Sequence, residues 1–417
     1  MSVRAKGDLR WSHAAETFAA SRPPIRSRWP VYGEEEIAAV ADVLRSGKVN
    51  ALVHGDRCRA FENAFADHVG SPYAIAVANG TLALELGLRA LGIGAGDEVI
   101  VTPRSFFASV SCVVACGARP VFADVDPASQ NLDPDGIEAV ITARTRAILC
   151  VHLAGWPCDM EPILRICRNR GLRLIEDCAQ AHGATYHGRQ VGSFGDVAAF
   201  SFCTDKIMST GGEGGMLLAQ HGDVWKRAWS YKDHGKNPEK VFSPPNGTGA
   251  FRWLHDGFGS NYRMTEMQAA IGLVQLGKLP GWLAARRANA RILHDALRPM
   301  PVLRVPRPTP DIEHAYYKYY AFLRPLFQVD GQARDEIVAD LQLLGVPCGS
   351  GSCPEIYRED AFQAPALRHA CRLPIARELG MTSLMVPVDP TLGAADMHRM
   401  AAAIRLVVAE RLHRGMA

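Results

Sequence analysis

Leu172–Ala219 reads LRLIEDCAQAHGATYHGRQVGSFGDVAAFSFCTDKIMSTGGEGGMLLA. Leu172 to Ile175 is a short apolar run that ends at Glu176 and Asp177. Val197 to Phe202 is a second such run, and Lys206 follows it closely. Short apolar runs bounded by turn residues suit strands buried on both faces. In an open α/β sheet, ligands bind beyond the carboxyl ends of the strands. Asp177 and Lys206 stand at two such ends, an acid and an amine offered to one ligand.

Outward from this stretch the chain alternates strand and helix. Strands are expected at Tyr73–Ala78, Glu98–Thr102, Pro120–Val125, Ala147–His152, Leu172–Asp177, Val197–Phe202 and Gly215–Leu218. Helices are expected at Thr81–Leu91, Ser105–Cys116, Asp135–Ile141 and Met160–Arg170. An earlier pair starts near Tyr32, where Glu34, Glu35 and Glu36 favour the helix dipole, and at Arg57–His68. The rhythm predicts an α/β fold with a mainly parallel sheet covered by helices. Tyr231 to Phe258 carries Pro238, Pro244 and Pro245 and reads as a loop excursion. Helices at Met264–Leu276 and Trp282–Leu297 then lead to a smaller α+β unit. That unit has a strand at Tyr316–Leu323, a helix at Arg334–Leu344, a strand near Ser383–Val388 and a last helix at Met397–Leu412. The expected organisation is an arm over residues 1–28, a large domain over 29–285 and a small domain over 286–417.

A chain of 417 residues exceeds one ordinary core, so two domains are the default. A net charge of +3, with no basic patch interleaved with aromatics, argues against nucleic acid as a partner. The eleven cysteines include no CxxC pair and suit reduced thiols in a cytosol. Apolar stretches such as Val110 to Ala118 are too short to span a bilayer. MSVRAKGDLRWSHAAETF has no apolar core of the secretory kind, so a cytoplasmic location without membrane attachment is expected.

A reactive amine beside a buried carboxylate suits pyridoxal 5′-phosphate. Lysine forms its Schiff base, and the acid pairs with the protonated ring nitrogen. Singly, Asp177 could cap a turn and Lys206 could be solvated; the phosphate-site signals tip the balance. Ala78-Asn79-Gly80-Thr81 joins the first strand to its helix. Gly80 admits close backbone approach, Thr81 offers a hydroxyl and the helix start offers free N–H groups. Thr81 could equally be a plain N-cap. Ser201 could add a second hydroxyl. In Thr102-Pro103-Arg104-Ser105-Phe106-Phe107, Phe106 or Phe107 can stack on a flat ring while the other packs in the core. Gln180 could donate to the ring's phenolic oxygen. Gly211-Gly212-Glu213-Gly214-Gly215 lacks the Lys-Ser/Thr ending of a P-loop and reads as backbone around Lys206. His152, His182 and His187 show no metal-ligand spacing.

At these residues the chain resembles the DegT/StrS-type sugar aminotransferases of fold type I. The resemblance runs from about Gly33 to the C-terminus through NGTLALELGLRALGIGAGDEVIV, PVFADVDPASQNLDP, IEDCAQAHGA, GRQVGSFGDVAAFSF, DKIMSTGGEGG and NYRMTEMQAAIG. It implies Lys206 as the Schiff-base lysine, Asp177 on the ring nitrogen, Phe106 stacked on the ring and Gln180 on its oxygen. Gly80, Thr81 and Ser201 would hold the phosphate. Asn261 would reach it from a neighbouring subunit, making a homodimer with a shared site. The implied reaction moves an amino group from glutamate or glutamine to a keto-sugar, most often nucleotide-linked. Lys236, Arg252 and Lys318 are candidate contacts for a diphosphate. Asn79 stands where serine is more frequent, Val49-Asn50 where many members carry an aromatic, and CGSGSCPEIYRE where a histidine-containing segment is usual. These departures leave open a keto-cyclitol or keto-sugar phosphate as acceptor. A pyridoxal-phosphate-binding regulator without turnover is a further alternative.

Overall fold

The seven apolar runs pair into one sheet in the computed structural model, which describes residues 23–52, 55–243, 251–365 apart from 325–331, and 367–415. The strands are β1 (Tyr73–Val77), β2 (Glu98–Val101), β3 (Arg119–Phe122), β4 (Thr145–Val151), β5 (Arg173–Asp177), β6 (Val197–Ser201) and β7 (Gly215–Ala219). Their order across the sheet is β1-β7-β6-β5-β4-β2-β3. β3, β2, β4, β5 and β6 run parallel. β7 is antiparallel to both neighbours. It reverses because the chain turns back directly after β6: Phe202 N–H donates to Gly214 O and Thr204 N–H to Gly212 O. Gly211 and Gly212 sit at φ 86° and 118°, conformations that glycine adopts without strain. Lys206 rides in this turn.

Both faces of the sheet are covered, which is why the central strands read as unbroken apolar runs. Val99, Val101, Leu149 and Ile175 pack on one side with Leu84, Leu86 and Leu88 of the helix Gly80–Ala90. Ile100, Ile148 and Leu174 pack on the other with Ile163 and Ile166 of the helix Met160–Arg170.

Several elements differ from expectation. The helix after β2 begins at Ala108, not Ser105, because a tertiary bridge between Ser105 and Cys353 holds the preceding turn extended. The two helices expected at Met264–Leu276 and Trp282–Leu297 are one helix, Glu266–Leu297, with Pro280 inside it. A proline there costs roughly 3 kcal/mol. Leu279 and Leu283 are buried on either side of it, so packing overrides the local break. The same helix sends Leu279 and Leu283 into one core and Ala290, Leu293 and Leu297 into another, and position 285 falls between them. The second core is closed by an antiparallel sheet of Leu303–Arg304, Tyr319–Leu323 and Ser383–Val386 with the helices Gln332–Leu343 and Ala394–Gly415.

The expected excursion begins inside the helix Gly222–Lys232 and includes a short helix, Pro238–Phe242. Pro244 and Pro245 lie outside the described residues, as does the arm up to residue 22. The rest of the arm is docked on the small domain. Ile25 is buried in the second core, and its N–H donates to Gly345 O.

Candidate active site

β5 ends on Asp177, whose register partner on β6 is Ala199. Ser201 ends β6, and Lys206 lies in the turn beyond. The strand spacing that buries Ile175 and Ala199 therefore brings acid and amine to one edge of the sheet. Asp177 is buried. Its Oδ2 accepts from Ser109 Oγ at 2.7 Å and its Oδ1 from the Ala179 N–H at 3.1 Å. Burial pushes this carboxyl above its ordinary value, against the pull of Ser109, Ala179 and the positive charge of Lys206. The Lys206 ammonium lies 3.7 Å from Asp205 Oδ1 and 5.0 Å from the centre of the Tyr317 ring. Tyr317 donates its hydroxyl to the other oxygen of Asp205. Burial opposes the Asp205 charge, yet Lys206 and Tyr317 hold its carboxyl below the usual range. The Lys206 carbonyl accepts from Trp29 Nε1 at 2.7 Å, which fixes the backbone that carries the amine.

Beside these groups the start of the helix Gly80–Ala90 forms a cradle. Asn79, not Thr81, caps this helix: its Oδ1 accepts from the Leu82 N–H at 3.0 Å. The exposed Thr81 hydroxyl makes no hydrogen bond among the described residues and is left for a ligand. A Cβ on Gly80 would lie 2.6 Å from Ser201 Cβ, and one on Gly215 would lie 2.8 Å from Gly80 N. Both glycines are required for this close approach of β6 and β7 to the helix start.

Phe106 is 67 % exposed at the end of β2, whereas Phe107 packs edge-on against Phe362. Gln180 is buried, and its Oε1 accepts from the Ala154 N–H at 2.8 Å. That bond turns the amide nitrogen away as a free donor. An open aromatic face, an amide donor, a buried acid, a lysine and a hydroxyl-lined helix start suit a flat phosphorylated pyridine, so the residues present fit pyridoxal phosphate. Asn261 precedes Tyr262, whose carbonyl accepts from the Ala78 N–H at 2.9 Å just before the cradle. It is exposed, bridges to Asp233 and accepts from the Arg263 N–H at 3.4 Å.

The three candidate cations for a diphosphate separate. Lys236 pairs with the buried Asp233 at 3.0 Å, alongside Arg263 at 2.7 Å. Arg252 donates to the carbonyls of Lys240 and Ser243. Lys318 alone of the three reaches the site, 4.8 Å from the centre of the Tyr317 ring.

The histidines divide as well. His187 pairs with Asp311 at 3.3 Å, and His182 is buried among Phe65, Phe200 and Phe202. His152, Glu176 and Cys178 bring donor atoms within 4.8 Å of one another. Yet Glu176 already accepts from the N–H groups of Gly192, Phe194 and Gly195 and sits 3.1 Å from His152 Nε2. Burial pushes the Cys178 thiol up to about 12. The cluster pins the loop after β5.

Ser109, Asp205, Tyr317 and Trp29 were not singled out from sequence. Ser109 could have been: it lies one turn beyond Phe106, on a helix that starts at the same strand end.

The description of the DegT/DnrJ/EryC1/StrS aminotransferase family matches residues 30–405. A GDP-perosamine synthase of Caulobacter vibrioides is 39 % identical over 350 residues, covering 84 % of this chain and 89 % of that one. The L-glutamine:scyllo-inosose aminotransferase of Streptomyces griseus is 40 % identical over 298 residues, 70 % of this chain and 69 % of that one. The X-ray structure of an aminotransferase from Psychrobacter cryohalolentis superposes with a TM-score of 0.89 at 50 % identity, covering 93 % of this chain and 99 % of that one.

Proposed function

Because the chain belongs to the DegT/DnrJ/EryC1/StrS aminotransferase family, whose aminotransferases depend on pyridoxal phosphate, we propose that it aminates a keto-sugar carried on a nucleoside diphosphate. The amino group comes from glutamate or glutamine. The observation that carries this reading is the set of Lys206 and Asp177 at adjoining strand ends with the open face of Phe106 at the same edge of the sheet.

When bound, the cofactor supplies an electron sink for the carbanion formed at the donor Cα. The chain does the rest. Lys206 removes the proton from the donor Cα and returns it later as a general acid. Asp177 holds the ring N–H, with Ser109 and the Ala179 N–H keeping its carboxylate oriented. Phe106 would cover one ring face, and Gln180 would donate to the phenolic oxygen. Gly80, Thr81 and Ser201 would hold the phosphate.

Asn261 completes that phosphate site from a second copy of the chain, in a cytoplasmic homodimer. Support for the dimer comes from the segment that carries Asn261. Phe251 and Trp253 contact each other edge-on and Phe258 is wholly exposed, an apolar display that a partner would cover. All eleven cysteines are free, which suits a reducing compartment. No described helix is long and apolar enough to cross a membrane.

A keto-cyclitol is the second reading, favoured by the inosose enzyme's identity to this chain. The test is a panel of nucleotide-linked keto-sugars and scyllo-inosose offered to the pyridoxamine form. Loss of its absorbance with a nucleotide-linked keto-sugar is the expected result. A response to the inosose alone would replace the first reading by the second.

A further inference from the structure

We infer that Lys318 reads the distal carboxylate of the amino donor and so makes glutamate, not glutamine, the preferred donor. The inference rests on the transaminase reading above.

Two cations share the Tyr317 ring, and a third, Arg286, lies 5.0 Å from the centre of the Trp29 ring nearby. The ammonium groups of Lys206 and Lys318 lie 5.0 Å and 4.8 Å from the centre of Tyr317. Arg286, buried behind them, donates only to the carbonyls of Tyr316 and Tyr317, and its Nε and Nη2 have no partner. Against them stands Asp205, already engaged by Lys206 and the Tyr317 hydroxyl. Asp389 also faces the group, but its Oδ1 accepts from the Thr391 N–H and hydroxyl. Lys318 itself is half-buried and makes no hydrogen bond or ion pair among the described residues. A partly buried ammonium that rests on a ring face and pairs with neither Asp205 nor Asp389 is stabilised by an arriving anion.

The donor's reach decides which anion. Its amino nitrogen takes over the place that Lys206 serves. From that nitrogen to a distal oxygen of glutamate the chain spans about 6 Å at bond lengths of about 1.5 Å. A charge-assisted hydrogen bond adds about 3 Å. The Lys206 and Lys318 nitrogens can be no farther apart than the sum of their distances to the Tyr317 centre, 5.0 Å and 4.8 Å. A glutamate therefore reaches about 9 Å, which spans all but the last part of the separations those two distances allow. Glutamine has the same length, but its neutral carboxamide forgoes the ion pair. Hydrogen bonds to charged groups exceed neutral ones by enough to separate the two donors roughly ten- to a hundredfold.

The test uses the holoenzyme and its Lys318→Met and Lys318→Arg variants, each first checked for the absorbance of cofactor bound at Lys206. The donor half-reaction is followed by single-turnover loss of that absorbance with glutamate and with glutamine. Binding of glutarate, a dicarboxylate without an amine, is titrated separately. The native enzyme should prefer glutamate. Lys318→Met should lower the glutamate-to-glutamine ratio of kcat/KM ten- to a hundredfold and weaken glutarate by a similar factor, and Lys318→Arg should restore part of both. An unchanged ratio, a native preference for glutamine, or a loss confined to the acceptor half-reaction would overturn the assignment. The last result would give Lys318 to an anionic group of the acceptor. Absence of any spectral change with either donor in the native enzyme would instead sink the transaminase reading itself.

Discussion

His182 sets a measurable acid sensitivity. The ring is buried among Phe65, Phe200 and Phe202, with centroid distances of 6.5 Å, 5.3 Å and 5.6 Å, and neither nitrogen has a hydrogen-bond partner. Burial, followed by the charge of Lys206, drives its pKa from 6.5 down to about 3. A group whose folded pKa is depressed contributes stability above its unfolded pKa and loses it as pH falls. The window here runs from 6.5 down to about 3. At pH 5 the unfolded chain has taken up the proton and the folded chain has not, which costs about 2 kcal/mol relative to pH 7.5. His182→Phe keeps a ring in the same aromatic setting and removes the titration. Any overpacking by the larger ring acts equally at every pH and cancels in the comparison. His314, also lowered to about 3 by burial and Arg287, titrates in both proteins and cancels too. Melting temperatures measured from pH 8 to pH 5 should fall less steeply for His182→Phe, the two curves converging or crossing by roughly 2–4 °C at pH 5. Parallel curves would mean that His182 is protonated inside the fold, and the account of its burial would be wrong.

Asp177→Asn removes the acid while keeping the volume and the reach to Ser109. Turnover should fall by roughly a hundredfold or more while cofactor absorbance persists, since the ring nitrogen then loses the partner that keeps it protonated. Stopped-flow measurement of the donor half-reaction checks this, and a rate within a factor of two of the native value would refute the role. Gly80→Ala would set a Cβ 2.6 Å from Ser201 Cβ. The helix start must then move off β6, and cofactor affinity, measured by equilibrium titration, should fall roughly tenfold or more with little change in the far-ultraviolet spectrum. Undiminished affinity would show that the cradle does not grip the phosphate.

The sheet was legible because β4 and β5 are covered on both sides, so Ile148, Leu149, Leu174 and Ile175 form runs with no polar interruption. Elements shaped by distant contacts were not. Pro280 is a breaker by every local rule, and only the burial of Leu279 and Leu283 keeps its helix whole. Ser105 belongs to a helical pattern in sequence, yet Cys353 holds it out of the helix. The short helix Gly222–Lys232 buries Val224, Ala228 and Trp229, but its flanking glycine, lysines and aspartates resemble the excursion that follows.

The same division runs through the site. Asp177 and Lys206 announce themselves because each closely follows an apolar strand, and the strand places it. Tyr317 meets Asp205 across 112 positions of sequence, and Trp29 meets the Lys206 carbonyl across 177. Such contacts leave no local periodicity to read. The candidate cofactor-handling groups belong mainly to the first kind, whereas Tyr317 and Arg286, on which the proposed donor contact rests, belong to the second. A sequence can therefore declare a transaminase while concealing its substrate, because strand ends build the reaction and long-range packing builds the selectivity. On this argument, exchanging the segment His314–Tyr320 between two enzymes of this fold should move donor preference with it and leave the cofactor spectrum in place. A chimera that kept its parent's preference would put selectivity back on the strand ends.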